Sequence, residues 1–420
     1  MGLRTQSDKR WPAYASALFA LAVVATLCLW LTRGWAAIGV PHFDPLLIPF
    51  SDAENQLAPV EWCKAGRGEW VGGVCFVPSQ ADPTHAQTYE PWVTLGEWGL
   101  ASAHYDAIAL AMIALFYLAF CLTMKPASAG ELGLCLLLLA TPAVQLGVER
   151  GNFDMLMNAL ICLAAWLLAR PRPLAAAAGC LVLAIATMLK LYTGLACAFA
   201  WIVARTLRAS TAIAAVAATV LAVAVLGPET IVVLGQGAPE GATRFSTGAH
   251  WLFRYRGIGS AVGTILFAAA VTGGMFAMLK QVPAPHFERW PNRKAAFDLA
   301  YLVAVPLFFL KDSYDYRFIV WLPCLALPLA LLRGGVHDRW RAWAAATLAL
   351  FLVATVTELP SHLLDLHALR SDTAWTAPAI SALVCAKQAA TWVLVGMLSL
   401  GFGFGLTQKL PGFARQRPPR

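Results

Sequence analysis

Glu149-Arg150-Gly151-Asn152-Phe153-Asp154 packs two acids, a guanidinium and an amide into six residues between two apolar runs, 132–148 and 155–169. Each run is a little short for a spanning helix, which needs roughly 20 apolar residues. An ionisable group deep in a bilayer costs at least about 2.5 kcal/mol. The turn therefore belongs at a membrane edge or in a cavity lined by protein and water. It can be a plain polar turn between helices or the wall of a functional site.

The rest of the chain fixes the class around this turn. Of 420 residues, 59% are hydrophobic and only 13% charged, with a mean hydropathy of +0.64. These values describe an all-α polytopic membrane protein and lie outside the range of soluble domains. The net charge of +8 does not point to nucleic acid, because the basic residues are scattered in small clusters between apolar runs, as the positive-inside rule produces. The run that follows Arg4, Lys9 and Arg10 is long for a signal peptide and reads as an uncleaved first span.

About twelve spans are predicted, at 12–32, 101–123, 131–148, 153–169, 174–189, 191–204, 210–227, 258–279, 296–310, 318–332, 342–358 and 377–407. The fifth and sixth are short enough to be a hairpin that does not fully cross, and the last is long enough to tilt. Loops that share a side with the two termini carry more Lys and Arg, among them Lys125, Arg170, Arg172, Lys280, Arg293, Lys294 and Arg333. That side is predicted to be cytoplasmic, with both termini there. The chain reads as one membrane domain, 1–420, without an internal repeat or an appended soluble domain. Its longest hydrophilic stretch, 33–100, becomes an extracytoplasmic loop rich in tryptophan, suited to interfacial helices on the bilayer surface. Of the ten cysteines, only Cys63 and Cys75 lie in a hydrophilic loop, where they can pair if the loop is extracytoplasmic. No metal-ligand spacing is present, and no cofactor is indicated, although scattered acids could gather one divalent ion.

This topology brings four polar groups to one face. They are Phe50-Ser51-Asp52 with Tyr89-Glu90-Pro91-Trp92, the 149–154 turn, Lys190-Leu191-Tyr192, and Lys311-Asp312-Ser313-Tyr314-Asp315-Tyr316-Arg317. Lys190 has no acid near it in sequence, so its ammonium needs a partner from elsewhere in the fold or from a ligand such as a lipid phosphate, or else it snorkels to the headgroups. Arg150, Arg254, Arg256 and Arg317 add cations suited to bidentate phosphate contacts. Asp52 could act as a general base, with Asp44, Glu54 and Asp82 as competitors. Asp154, Asp312 and Asp315 are expected to pair with Arg150, Lys311 and Arg317.

In combination, the acid after the first span, the Glu-Arg-Gly-Asn-x-Asp turn, the Lys-x-Tyr hairpin and Asp315-Tyr316-Arg317 resemble bacterial glycosyltransferase family 87, polytopic enzymes of the GT-C class. The resemblance runs from about Phe50 to Leu332. It implies a transferase of the bacterial inner membrane that moves a sugar, typically mannose, from a polyprenyl-phosphate donor to a glycolipid, glycan or protein on the extracytoplasmic face. It also implies that Asp52 is the catalytic base. Arg150, Asn152, Lys190, Tyr192 and Arg317 would bind donor phosphate or sugar, supported by Glu149, Asp154, Tyr89, Asp315 and Tyr316. Two departures stand out: Glu90 is inserted between Tyr89 and Pro91, and Thr193 follows Tyr192 where proline is common. A secondary transporter or lipid-linked glycan flippase is the competing class, but it favours internal repeats and polar groups at the bilayer midplane.

Overall fold

The apolar segments fold as helices whose ends are written in their boundary residues. The computed structural model describes residues 6–31, 50–76, 87–97, 104–204, 209–236, 246–247, 249–310, 313–333, 335–357 and 376–408. The first half runs α1 (Gln6–Leu31), α2 (Ser51–Lys64), β1 (Glu69–Val71), β2 (Val74–Phe76), β3 (Gln87–Tyr89), α3 (Glu90–Glu97), α4 (Tyr105–Met124), α5 (Ala129–Leu139), α6 (Pro142–Arg150), α7 (Asp154–Leu168) and α8 (Pro173–Leu189). A 3-10 turn (Leu191–Thr193) leads into α9 (Gly194–Ala198), α10 (Ala200–Val203), α11 (Ala209–Leu226), α12 (Pro228–Gln236) and α13 (Ala249–Lys280). Then come α14 (Pro291–Leu310), a 3-10 helix (Asp315–Leu325), α15 (Ala326–Leu332), α16 (Asp338–Val356) and α17 (Thr376–Thr407).

Capping explains several of these limits. Ser128 Oγ accepts from Glu131 N at 3.2 Å while Glu131 Oε2 accepts from Ala127 N at 2.6 Å, so a reciprocal box starts α5. Pro142 and Pro173 occupy the first turns of α6 and α8, where a missing N–H costs nothing. Gly151 closes α6 in the left-handed region, at φ 60°.

Within the described residues the twelve segments read from sequence are helical, but fewer of them have the length of a membrane crossing. Among the described residues, five helices are long and apolar enough to cross a membrane: Trp11–Cys28, Tyr105–Met124, Ala209–Leu226, Gly259–Lys280 and Pro378–Thr407. A sixth is counted if α5 and α6, bent by 59°, form one broken span. Hydropathy marks apolar stretches without saying whether a helix runs through them unbroken. Here the stretches break at Thr141–Pro142, at Lys190, at Phe199 and over the 3-10 helix that contains Pro323. Side chains satisfy carbonyls freed at the breaks, as apolar surroundings demand. Gln145 Nε2 donates to Leu139 O at 2.7 Å, Thr141 Oγ1 to Leu138 O at 2.8 Å, and Asn158 Nδ2 to Ile319 O at 2.6 Å.

Packing follows the membrane rule that small residues face helices and large ones face lipid. On α11, Ala215, Ala218 and Ala222 are buried, with α8 as the main neighbour, while Ile213, Val216 and Val220 are exposed. The same core continues through α14, α16, α17 and the 3-10 helix, where Gly401 admits the rings of Trp343 and Phe297 and where Phe308 meets Trp321 and Trp392 edge-on.

The long hydrophilic loop after α1 holds a sheet that the sequence reading missed. A three-stranded antiparallel sheet, in order β1-β2-β3, sits between α2 and α3. Cys63 and Cys75 form a disulfide across a separation of 12 residues and staple the end of α2 to β2. Helix α2 turns Ala53, Leu57, Val60 and Cys63 inward, so it lies on protein through one stripe.

The bundle has two distinct polar ends. At one, Arg333 Nε reaches Glu131 Oε1 at 2.7 Å, and both Arg293 and Arg333 donate to carbonyls at the end of α4. The other carries the 149–154 turn.

Candidate active site

Backbone geometry brings the first loop onto the turn. Phe50 precedes α2 in the left-handed region at φ 60°, and its N–H donates to Glu149 O at 2.8 Å. A Cβ on Gly151 would lie 2.9 Å from Ala109 Cβ and 3.0 Å from Phe50 Cβ. Only glycine supplies both the positive φ and the close approach. With Phe50 docked there, Asp52 in the first turn of α2 faces Arg150 in the last turn of α6.

The side chains then form one continuous network. Asp52 Oδ1 accepts from Arg150 Nε at 2.8 Å and lies 2.6 Å from a terminal guanidinium nitrogen. Asn152 Nδ2 donates to Asp52 Oδ2 at 2.5 Å. The other end of that amide, Asn152 Oδ1, accepts from Asp154 N at 2.7 Å and so caps the start of α7. Asp154 is 1% exposed, and its Oδ1 accepts from Tyr192 Oη at 2.6 Å. Lys190 Nζ stands 3.7 Å from that same oxygen, an ion pair without hydrogen-bond contact. Asp154 Oδ2 is buried with no hydrogen-bond partner among the described residues.

The Lys190-Leu191-Tyr192 hairpin owes its shape to Thr193. Thr193 N donates to Lys190 O at 3.2 Å and closes a 3-10 turn, a bond proline could not make, and the single Thr193 hydroxyl proton is shared between Lys190 O at 3.0 Å and Thr187 Oγ1 at 3.2 Å. Trp92, quoted in the sequence reading but given no role there, seals the junction. Its Nε1 donates to Leu189 O at 3.2 Å and its ring meets Phe153 edge-on at 4.8 Å. The signal available was a tryptophan beside Tyr89-Glu90-Pro91, too general to single out.

Asp52, Arg150, Asn152, Asp154, Lys190 and Tyr192 therefore converge. Their pairing differs from expectation in one respect: Asp154 holds Lys190 and Tyr192, while Arg150 is held by Asp52. Sequence proximity alone predicts that Arg150 and Asp154, four residues apart, pair with each other, but across the turn at Gly151 each finds its partner in another element. Glu149 is buried, and its backbone carbonyl anchors Phe50.

Arg317 is half-buried at the start of the 3-10 helix that packs on α6 and α7, and no hydrogen bond or ion pair joins it to the network among the described residues. Tyr89 ends β3, and Asp315 and Tyr316 begin the 3-10 helix; their side chains lie outside the described residues, as do those of Glu54, Arg254 and Arg256. Asp44, Asp82, Lys311 and Asp312 also lie outside them. Among the described residues, no three His, Cys, Asp or Glu side chains gather as a metal site would require.

Comparison with known proteins adds no relative: no protein-family model, curated protein or solved structure matches the chain.

Proposed function

We propose that this chain is a membrane glycosyltransferase that moves a sugar, mannose by its resemblance to family 87, from a polyprenyl-phosphate donor to an acceptor hydroxyl. The observation that carries the reading is a division of labour between two cations. Arg150 is engaged on Asp52, whereas Lys190 touches Asp154 only at ion-pair distance and stays partly exposed. A carboxylate held by Arg150 and Asn152, and a partly exposed ammonium on the far side of the same turn, suit a general base and a phosphate partner.

The chemistry follows from lone-pair arithmetic. A carboxylate offers about four acceptor sites. Arg150 uses both on Oδ1 and Asn152 uses one on Oδ2, which leaves one on Oδ2 for the acceptor hydroxyl. As that hydroxyl oxygen attacks the anomeric carbon, its proton passes to Asp52 Oδ2. The bond from the anomeric carbon to the phosphate oxygen breaks, and its electron pair leaves on the phosphate beside Lys190. The products are the inverted glycoside and polyprenyl phosphate. Asn152 is a positioning residue in this scheme, because it aims Oδ2 and caps α7 at once. Arg150 balances the Asp52 charge between turnovers.

The Cys63–Cys75 disulfide supports an outward-facing site in an oxidising compartment, on the face opposite the basic loops. The full reading adds a GT-C-like arrangement of about twelve membrane segments, some broken or re-entrant, in the bacterial inner membrane with both termini cytoplasmic. The test is transfer of radiolabelled sugar from polyprenyl-phosphate mannose in membranes. Asp52→Asn is expected to lower transfer by about 10²–10⁴-fold, the usual contribution of a general base, at unchanged membrane abundance. Transfer close to wild type would remove Asp52 from the mechanism. Absence of transfer in wild type, with movement of lipid-linked sugar across the membrane, would favour a flippase.

A further inference from the structure

The first outer loop holds two tryptophans in the open. Trp62 and Trp70 are 43% and 42% exposed, although each large ring would contribute a favourable burial free energy if covered. The scaffold beneath them is tied at three points. The Cys63–Cys75 bridge joins α2 to β2, and a Cβ on Gly68 would overlap both sulfurs, so the chain between helix and sheet lies directly on the bridge. The β1–β2 turn is seated on α12, because a Cβ on Gly73 would overlap the Thr230 hydroxyl. Lys64 Nζ reaches Gly96 O on α3 at 3.4 Å. Rigid indoles held in solvent are pre-organised contact surface, since little freedom is left to lose on binding.

The rim decides what they would contact. Glu61, Lys64, Arg67 and Glu69 flank the two tryptophans in sequence and are exposed, two acids against two bases. The Arg67 guanidinium lies 5.9 Å from the Trp62 ring centroid. An anionic bilayer surface or a charged polymer would meet two like charges for every two opposite ones. A neutral, polyhydroxylated ligand fits better: C–H faces of sugar rings on the indoles, hydroxyls on the alternating donors and acceptors. The platform also shares a helix with the candidate site. Trp62 stands ten residues after Asp52 on the same helix, a rise of roughly 15 Å at about 1.5 Å per residue.

We infer that the disulfide-stapled platform of Trp62 and Trp70 binds a neutral glycan and presents it towards Asp52. As an acceptor site it rests on the transferase reading; glycan binding by itself does not. The experiment is calorimetric titration of mannohexaose into the full chain in phosphatidylcholine nanodiscs, on wild type, Trp62→Ala, Trp70→Ala, Trp70→Phe and Asp52→Asn. Saturable binding is expected for wild type and Asp52→Asn, with at least tenfold weakening in both alanine variants and partial retention in Trp70→Phe. A non-reducing gel that shows the intact Cys63–Cys75 bridge controls for folding of the loop. Failure of wild type to bind, or alanine variants that bind as well as wild type, overturns the platform whatever Asp52 does. So does quenching of Trp62 and Trp70 fluorescence by brominated lipid, which would seat them in the bilayer. Glycan binding without sugar transfer would uphold the platform and remove only its acceptor role.

Discussion

Asp52 and Lys190 carry opposite assignments that kinetics can separate. Lys190 keeps N–H donors available beside Asp154, so Lys190→Met is expected to act on the donor, raising its KM and lowering kcat. Arg150 is occupied by Asp52, so Arg150→Lys is expected to lower kcat with little change in donor KM, because lysine cannot reproduce two contacts to one oxygen. Steady-state kinetics against polyprenyl-phosphate mannose checks both, and a larger donor KM effect at Arg150 than at Lys190 would reverse the assignment. Gly151 is the structural counterpart. Its φ of 60° and the contacts a Cβ would make with Ala109 and Phe50 predict that Gly151→Ala loses more than about 1–2 kcal/mol, the left-handed backbone term alone. Thermal unfolding in detergent reads that loss together with the displacement of Asp52. A Gly151→Ala variant as stable and active as wild type would show that Phe50 does not dock there.

At the scale of elements, α2 and its hairpin are the part whose order depends on a covalent bond. The helix has one inward stripe and a mixed-charge outer face, too little apolar surface to fix both of its ends. Closing a loop of this length by a disulfide stabilises by about 3 kcal/mol. Replacing Cys63 and Cys75 by Ser is therefore expected to lower the Tm and sugar transfer together. A variant with unchanged Tm would show that the loop is held by packing alone. The broken segments have a related logic. The bend between α5 and α6 and the breaks around Lys190 end helices inside apolar stretches, which places Arg150 and the Lys190 hairpin at helix ends where a ligand can reach them. Legibility differed among these elements. The existence of the helices followed from apolar runs, whereas the breaks depend on single residues such as Thr141, Gln145 and Thr193, whose side chains make local bonds that no hydropathy average registers.

For the whole molecule, the two polar ends predict an orientation. The end built by Glu131, Arg293 and Arg333 is expected in the cytoplasm and the end with Asp52 and the disulfide outside. Labelling with a membrane-impermeant maleimide tests this in a background with Cys28 and Cys385 replaced by Ser. Ala65→Cys should react in intact cells and Ala129→Cys only after lysis. The reverse pattern would invert the topology and take the outward-facing site with it.

Composition and pattern were enough for the class: a chain so apolar, with charges confined to short stretches, fits an all-α membrane protein, because long apolar runs satisfy their backbone within each segment as helices. They also marked Asp52, the 149–154 turn and Lys190, because uncompensated charge beside apolar runs is costly enough to stand out. Which charge meets which emerged only in the folded chain. Pairing depends on the side to which each turn sends its residues, and Gly151 and Phe50 set that through left-handed backbone and close approach. The Glu149–Asp154 turn thus has two faces: Arg150 and Asn152 on Asp52, and Asp154 on the hairpin that carries Lys190.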